Sequence, residues 1–286
     1  MSEAVKGLIS IEQVGICFGG SNNLVEAVAD ISMRVQPGEF ISVIGPSGCG
    51  KSTLLNAVAG FIRPTVGAIA VDGVLVVGPG ADRGMVFQQY SLFPWLSVRK
   101  NVEFGLKMKG MPRSQREAMA RTLLGLAGLM AFENHYPDQL SGGMKQRVGI
   151  VRALATSPQV LLMDEPFGAL DAQTRVIMQQ ILTNIWQRFR ISVIFITHDI
   201  DEAIFLSDRI FVMTARPGRI KQELVVSLPR PRTSALEGHP AYMSLKSKLR
   251  ELIREESLKA MGGELHDGGL SGFGMEVGPE GIAELV

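Results

Sequence analysis

A glycine-rich segment around residue 50 has the composition of a phosphate-binding loop. It follows a short apolar run, Phe40 to Ile44, and leads into a segment of helical character, Lys51 to Gly60. Glycines let several backbone N–H groups face one anion, and a helix N-terminus adds positive potential. The spacing is that of a nucleotide-binding loop, and the residues expected to contact phosphates are Gly45, Pro46, Ser47, Gly48, Cys49, Gly50, Lys51, Ser52 and Thr53. In this arrangement the Lys51 amine reaches the β- and γ-phosphates, and the Ser52 hydroxyl is a ligand for Mg²⁺.

Two acidic residues close a second apolar run, Val160 to Met163. Carboxylates at the end of a buried strand are costly unless they meet a cation or have a proton to transfer. With a phosphate loop upstream, the sequence predicts that Asp164 holds Mg²⁺ through water and that Glu165 is the general base. The chemistry indicated is the hydrolysis of a nucleotide phosphate.

A second segment with anion-binding character runs from Leu140 to Arg147. Ser141 is a favourable N-cap, and Gly142 and Gly143 expose N–H groups at the start of a helix predicted to run to about Ala155. The segment resembles the signature motif of ABC transporter ATP-binding subunits. In that family the signature of one protomer closes on the ATP held by the phosphate loop of the other, so the resemblance implies that a dimer is the catalytic unit.

Four more residues match the family's motifs in order, and the resemblance runs from about Leu8 to Val226. It implies that Phe18 stacks on adenine and that Gln88 senses Mg²⁺ and the γ-phosphate. It also implies that Asp171 contacts the opposite protomer and that His198 contacts the γ-phosphate. Without the other motifs, each residue has an ordinary interpretation, as a core aromatic, a surface amide, a helix N-cap and a structural histidine.

Two segments on either side of Gln88 narrow the resemblance. Gly78 to Gly84 and Leu92 to Val98 are similar to the nitrate, sulfonate and taurine importer branch. The branch implies a separate transmembrane permease, a second ATPase subunit that is either another copy or a paralogue, and an extracytoplasmic solute-binding protein that acts indirectly. The transported solute would be a small anion or a related small solute.

Phe93, Trp95 and Leu96 offer an apolar anchor of the kind that interfaces favour. We hypothesise that they line a groove that receives a short cytoplasmic helix of the permease. Packing inside the helical part of the chain is the alternative interpretation.

The segments that must position these residues alternate between strands and helices. Strands are predicted at Leu8–Ile16, Ala27–Val35, Phe40–Ile44, Gly84–Phe87, Val160–Met163 and Ile191–Ile196, with a hairpin at Val66–Val77. Helices are predicted at Lys51–Gly60, across most of Val98–Ala155 and at Ala172–Phe189. Within the second of these, Pro112–Ser114 is predicted to open a helix and Pro137–Gly143 to form a break. This alternation predicts the α/β class with a mainly parallel sheet. The resemblance implies a RecA-like phosphate-loop NTPase core with an antiparallel β subdomain and an inserted helical subdomain.

The predicted organisation has three parts. Residues 1–228 form the ATPase domain, with the helical subdomain inserted at about 94–158. Residues 229–260 form a C-terminal helical extension with a helix from Pro240 to about Lys259, after a hairpin that follows Gly218. Residues 261–286 are rich in glycine, contain acids and have no Lys or Arg, so a flexible tail is predicted.

The composition limits the classes of partner. Lys+Arg 29 against Asp+Glu 28 gives a formal net charge of +1, so no nucleic-acid partner is expected. Two cysteines are too few for a disulfide framework. Residues 1–6 lack the layout of a signal peptide, and no apolar run approaches the ~20 residues that cross a bilayer. With the resemblance, we expect a peripheral subunit at the cytoplasmic face of the membrane.

Cys49 lies inside the phosphate loop, where we expect it to be partly exposed. A helix N-terminus lowers the pKa of a thiol, so alkylation of Cys49 is expected to inactivate the enzyme.

Three alternative functions stay open from the sequence. They are an ABC ATPase that acts without a permease, the ATPase of an exporter, and an inactive regulatory protein. The last is least consistent with the motifs, because Lys51, Asp164, Glu165 and His198 are all present.

Overall fold

The chain folds into two β-sheets with helices packed around them. The computed structural model describes residues 6–20, 23–89 and 91–267. The strands are β1 (Ile9–Phe18), β2 (Val25–Val35), β3 (Phe40–Ile44), β4 (Val66–Val71), β5 (Val74–Leu75), β6 (Arg83–Val86), β7 (Val160–Asp164), β8 (Ser192–Ile196), β9 (Arg209–Met213) and β10 (Ile220–Val225). The helices are α1 (Lys51–Ala59), α2 (Val98–Met108), α3 (Arg113–Leu126), α4 (Gly142–Ala155), α5 (Ala172–Phe189), α6 (Ile200–Leu206) and α7 (Pro240–Asp267).

A six-stranded sheet in the order β10-β9-β3-β8-β7-β6 forms the centre of the fold. All neighbours from β9 to β6 are parallel, and β10 is an antiparallel edge strand. Strand β8 is buried along its whole length because helices cover both faces of the sheet. Ile194 and Ile196 pack in the core that contains α1. Val193 and Phe195 pack in the core that contains α5. Parallel strands place their carboxyl ends at one edge of a sheet, so the phosphate loop after β3 and the acidic pair at the end of β7 meet there.

A four-stranded antiparallel sheet in the order β2-β1-β4-β5 packs beside the central sheet. Its inward residues, among them Ile11 and Ile31, share one hydrophobic core with Leu54 and Leu55 of α1. This packing fixes the end of β1, which carries Phe18, relative to the helix that follows the phosphate loop.

Helices α2, α3 and α4 form a group with a hydrophobic core of their own, which includes Val102, Leu123 and Val148. Pro112 precedes α3, and a 3-10 turn at Pro137–Gln139 precedes α4, so the predicted helix start and the predicted break are both confirmed. The predicted fold class is also confirmed, with a mainly parallel sheet, an antiparallel β unit and a helical insertion.

The predicted hairpin after Gly218 is displaced in the structure. Its strands are β9 and β10, and Arg216 to Gly218 form the turn between them, closed by a 2.9 Å hydrogen bond from the Thr214 N–H to the Arg219 carbonyl. The sequence interpretation missed α6 and β9 because they are short and follow each other closely, which leaves no repeat of apolar residues long enough to define either one.

The C-terminal helix is longer than predicted. Helix α7 continues to Asp267, so residues 261–267 belong to it rather than to the predicted tail; residues 268–286 lie outside the described residues. The helix packs on α6, where the Tyr242 hydroxyl and the Lys246 amine donate to the two oxygens of Asp201 at 2.6 and 2.8 Å. The division at residue 228 stays a prediction.

Within the described ranges, no helix is long and apolar enough to cross a membrane.

Candidate active site

A cleft of ≈ 590 Å³ lies where β3 leads into α1. The predicted site residues that line it are Phe18, Ser47, Gly48, Gly50, Lys51, Ser52, Thr53, Gln88 and Glu165. Phe18 lies at the end of β1 and is 44% exposed, so it is accessible from the cleft. The fold therefore brings the predicted adenine-stacking residue, the phosphate loop and the acidic strand end into one cavity.

The phosphate loop is held in a conformation that suits an anion. Gly50, immediately before α1, has a φ of 100°, and a Cβ at this position would lie 2.6 Å from the Ala27 carbonyl oxygen, so glycine is required there. The buried Lys51 amine donates to the carbonyls of Gly45 and Pro46, both at 2.9 Å. In the described part of the chain no carboxylate pairs with Lys51, so its charge is available to a phosphate.

The Asp164 carboxylate lies beside the first residues of α1. The Ser52 hydroxyl donates to Asp164 Oδ1 at 2.9 Å. Burial raises the pKa of Asp164, and the neighbouring Glu165 charge raises it further, against the lowering effects of the Ser52 hydrogen bond and Lys51. A partly buried carboxylate next to a hydroxyl is an oxygen donor set that fits a hard cation such as Mg²⁺. The positive charge of the cation would stabilise the ionised form of Asp164.

Glu165 is the point at which three predicted site residues meet. Its N–H donates to the Ile196 carbonyl at 3.0 Å, and its φ of 43° turns the chain sharply as it leaves β7. Glu165 Oε2 lies 3.2 Å from His198 Nδ1 and 3.5 Å from Gln88 Nε2. The carboxylate, the imidazole and the amide are therefore within reach of one water molecule at the mouth of the cleft.

The signature segment and Asp171 lie outside this cleft. Ser141 is the N-cap of α4, accepting the Met144 N–H at 3.3 Å, and Asp171 is the N-cap of α5, accepting the Thr174 N–H at 3.0 Å. The two helix starts touch, because a Cβ on Gly143 would lie 2.7 Å from Thr174 Cγ2. Ser141, Gly142, Gly143 and Asp171 thus form one surface away from their own phosphate loop, and their predicted contact with a second protomer stays a prediction.

An arginine of α5 connects this surface with the segment after His198. Arg175 donates through Nη1 to Asp199 Oδ2 at 2.8 Å and through Nη2 to the Leu170 carbonyl at 3.2 Å. Asp199 in turn caps α6 by accepting the N–H groups of Asp201 and Glu202. The loop before Asp171 and the loop that carries His198 are therefore tied to one side chain.

Glu202 is a buried carboxyl in the same network. It is 3% exposed, accepts the Thr197 hydroxyl at 2.7 Å and lies 3.4 Å from Arg175 Nε. Burial raises the pKa of Glu202 to about 7, with Asp199 raising it further and Thr197, Arg175 and His198 opposing the shift. This carboxyl therefore titrates near neutral pH.

Glu202→Gln should remove a pH dependence of stability. The pKa of Glu202 is about 7 in the folded chain and near 4.5 in the unfolded one, so the folded state loses stability as the pH rises from about 4.5 through 7. Between pH 5 and 8, the unfolding free energy of the wild type should fall by roughly 3 kcal/mol relative to the variant. Urea unfolding of both proteins across this range measures the difference, and a difference that does not vary with pH would remove Glu202 as the titrating group.

The expected partial exposure of Cys49 and the expected lowering of its thiol pKa are wrong. The residue is 1% exposed, and burial raises the pKa of its thiol although Lys51 lowers it. A buried, protonated thiol is a poor nucleophile, so we expect alkylation of Cys49 to be slow in the folded protein.

The sequence interpretation missed one charged residue that lines the cleft. Arg216, in the turn between β9 and β10, lines the cavity together with the phosphate loop. The sequence Arg216-Pro217-Gly218 indicates a turn, but nothing in it indicates that the turn lies against a loop far away in the chain.

Comparison with known proteins agrees with this geometry. The family model for ABC transporter matches residues 28–168. The nitrate import ATP-binding protein of Synechocystis is 48% identical over 252 residues, which cover 86% of this chain and 95% of that protein. The taurine import ATP-binding protein of Pseudomonas putida is 46% identical over 259 residues, which cover 88% and 98%.

A solved structure shares the fold. It is an ATP-binding cassette, dimeric and bound to ADP and Pi in a post-hydrolysis state, and it matches with a TM-score of 0.69 at 33% identity over 77% of this chain and 100% of that one. The resemblance predicted from the motifs is confirmed. The chain belongs to the ABC transporter family, as an ATP-binding subunit that hydrolyses ATP.

Proposed function

We propose that the chain is the ATPase subunit of an importer for a small anion or a related small solute. Its near-full-length similarity to a nitrate import protein and a taurine import protein supports the class of solute. The observation that carries the proposal is that one chain holds both a nucleotide cleft and, on its helical insertion, an exposed apolar groove. ATP hydrolysis in the cleft would power transport, and the groove would bind the membrane partner.

The cleft residues divide the work of binding ATP. Phe18 stacks on the adenine, while the N–H groups of the phosphate loop and the Lys51 amine hold the phosphates. Ser52, Asp164 and Gln88 are the residues that would hold Mg²⁺, which when bound neutralises charge on the phosphates.

Hydrolysis then depends on orienting the attacking water and on stabilising the negative charge of the γ-phosphate, the two effects that dominate catalysis of phosphoryl transfer. Glu165 accepts a proton from the attacking water and fixes its direction. His198, which shares the Glu165 carboxylate at 3.2 Å, donates to the γ-phosphate. The backbone turn at Glu165 and the cap at Asp199 keep these two side chains facing each other.

A second ATPase subunit, either another copy or a paralogue, completes each site. Ser141 and Gly143 of the partner subunit present N–H groups and a hydroxyl to the γ-phosphate, and Asp171 contacts the opposite subunit. ATP then bridges the two subunits, and its hydrolysis removes the bridge, so the dimer opens and the permease is released from its ATP-bound shape.

The groove on the helical insertion has an apolar floor and a basic rim. It encloses ≈ 560 Å³, and Trp95, which is 71% exposed, lines it with Leu96 and Phe104. Phe93 was hypothesised to line this groove, but it does not. The Phe93 ring packs instead against Phe104 and Trp95, with centroids 4.5 and 5.6 Å apart, while the buried Asn101 amide holds the Phe93 backbone.

The charge of the groove indicates the chemistry of its partner. Five of its lining residues are basic and two are acidic, and both acids, Glu103 and Glu117, are paired with arginines. Exposed positive charge stays at Lys100 and Lys107. A short permease helix with an apolar face and an acidic flank fits this surface. In the proposed importer the chain lies at the cytoplasmic face of the membrane, and an extracytoplasmic solute-binding protein lies on the other side of the permease.

Capture of the chain from native membranes tests the proposal. Affinity-tagged wild type, purified in mild detergent, should bring down a multi-span permease and, through it, a solute-binding protein, both identified by mass spectrometry. Trp95→Ala should lose the permease because it removes the largest apolar contact of the groove. The purified variant should keep its ATPase activity, because Trp95 lies outside the nucleotide cleft.

Val77→Ala is the matched control, because Val77 is 89% exposed and does not line the groove. It should recover the permease as the wild type does. Capture of soluble proteins alone would overturn the transport proposal and favour an ABC ATPase without a permease. Recovery of the permease by Trp95→Ala in undiminished yield would leave transport intact and reject the groove as the docking surface.

A further inference from the structure

The turn between β9 and β10 is fixed against the phosphate loop. The Gly218 N–H donates to the Ala27 carbonyl at 3.0 Å, and the Gly218 carbonyl accepts the Ala29 N–H at 2.9 Å. A Cβ on Gly218 would lie 2.0 Å from the Cys49 carbonyl oxygen, so the two backbones approach as closely as a glycine allows. The turn therefore has a defined position relative to the nucleotide cleft, although it lies far from the phosphate loop in sequence.

Arg216 extends from this turn to the mouth of the cleft. Its Nη2 donates to the Gly48 carbonyl at 3.3 Å, which is a long hydrogen bond and uses one of the five N–H donors of the guanidinium. The side chain lines the same cavity as Ser47, Lys51 and Glu165. Among the described residues, no carboxylate lies within ion-pair distance of Arg216.

The charge of Arg216 thus has no counter-ion of its own in a cavity built for a polyanion. The Lys51 amine is buried and held by two carbonyls, whereas Arg216 is exposed and free to turn toward a ligand. A planar guanidinium binds phosphate oxygens in pairs, and hydrogen bonds between charged groups are the strong ones.

We propose that Arg216 is a nucleotide-binding residue whose guanidinium contacts the phosphates of the ATP held by the phosphate loop of the same chain. The contact supplements the loop and Lys51 with a second cation that comes from a different part of the sequence. It strengthens the binding of nucleotides before the dimer closes.

Four variants separate this role from its alternatives. Arg216→Ala removes both charge and donor. Arg216→Gln removes the charge but keeps an amide that can donate to the Gly48 carbonyl, and Arg216→Lys keeps the charge. Arg219→Ala is the matched control, because it removes the same charge from the same turn at an exposed position that does not line the cleft.

Calorimetric titration of the full-length chain with ADP and with a non-hydrolysable ATP analogue measures the effect. Arg216→Ala and Arg216→Gln should each weaken binding of both nucleotides about tenfold, as expected for one lost charged hydrogen bond at an exposed site. Arg216→Lys should retain most of the affinity, and Arg219→Ala should match the wild type. All four variants should unfold at the temperature of the wild type, because both side chains are exposed.

Two results would overturn the proposal. Wild-type affinity in Arg216→Gln would show that the residue only braces Gly48. Equal losses in Arg216→Ala and Arg219→Ala would show a general effect of net charge rather than a contact with the nucleotide.

Discussion

Glu165→Gln should reduce steady-state ATP hydrolysis by a hundredfold or more, roughly the contribution of a positioned general base, while leaving nucleotide affinity unchanged. The amide keeps the size of the side chain and can still bond to His198 and Gln88, which lie 3.2 and 3.5 Å from Glu165 Oε2. It cannot accept a proton from the attacking water. Phosphate release measures the rate, and titration with a non-hydrolysable ATP analogue measures the affinity.

Glu12→Gln is the control for this change, because Glu12 is an exposed carboxylate on β1 that does not line the cleft. It should hydrolyse ATP at the wild-type rate. Near-normal turnover in Glu165→Gln would remove Glu165 as the base and leave His198 as the first residue to test.

Ser141→Asp should strongly reduce hydrolysis without weakening either the fold or the binding of ATP to a single chain. Ser141 caps α4, and aspartate is an equally good N-cap that also interacts favourably with the helix dipole. In the ATP-bound dimer, however, the new carboxylate would face the γ-phosphate in the partner's cleft. Repulsion between the two anions should prevent closure and lower the rate about a hundredfold or more.

Ser141→Asn separates charge from side-chain size in this experiment. Asparagine caps the helix as aspartate does but is neutral, so this variant should retain much more activity than Ser141→Asp. Wild-type turnover in Ser141→Asp would mean that Ser141 does not meet a phosphate, and the signature segment would then have only its structural role as a helix start.

The sequence predicted the site best where a motif and the elements next to it serve the same physical requirement. The glycines of the phosphate loop lie between β3 and α1 because a curled backbone and a helix start are both needed to hold phosphate. The acids at the end of β7 reach the same edge of the sheet because parallel strands share their direction. These local rules predicted the phosphate loop and Glu165, whereas Phe18, Gln88 and His198 were identified only through the resemblance to the ABC family.

The rest depended on contacts between distant parts of the chain. The prediction that Cys49 is partly exposed was wrong, because the residue is buried in the core that the phosphate loop shares with the antiparallel sheet. The position of Arg216 depends on Gly218 docking against Ala27 and Cys49, and no periodic pattern records such a contact. The buried state of Glu202 likewise results from the packing of α6 between the central sheet and α7.

Phe93 illustrates the same limit on the helical insertion. Its sequence neighbours Trp95 and Leu96 do line the groove. The aromatic character of the segment was visible in the sequence, but which ring faces outward depends on how the segment packs on Phe104 of α2.

The mass of the chain in solution, with and without ATP, tests the central claim most directly. Glu165→Gln should be a monomer of 31.0 kDa without nucleotide and a dimer of twice that mass with Mg²⁺ and ATP, as measured by light scattering after size exclusion. The same chain with Ser141→Asp added should stay a monomer under both conditions. A monomer in every sample, or an ATP-dependent dimer that Ser141→Asp does not disturb, would contradict a site shared between the phosphate loop of one subunit and the signature segment of the other.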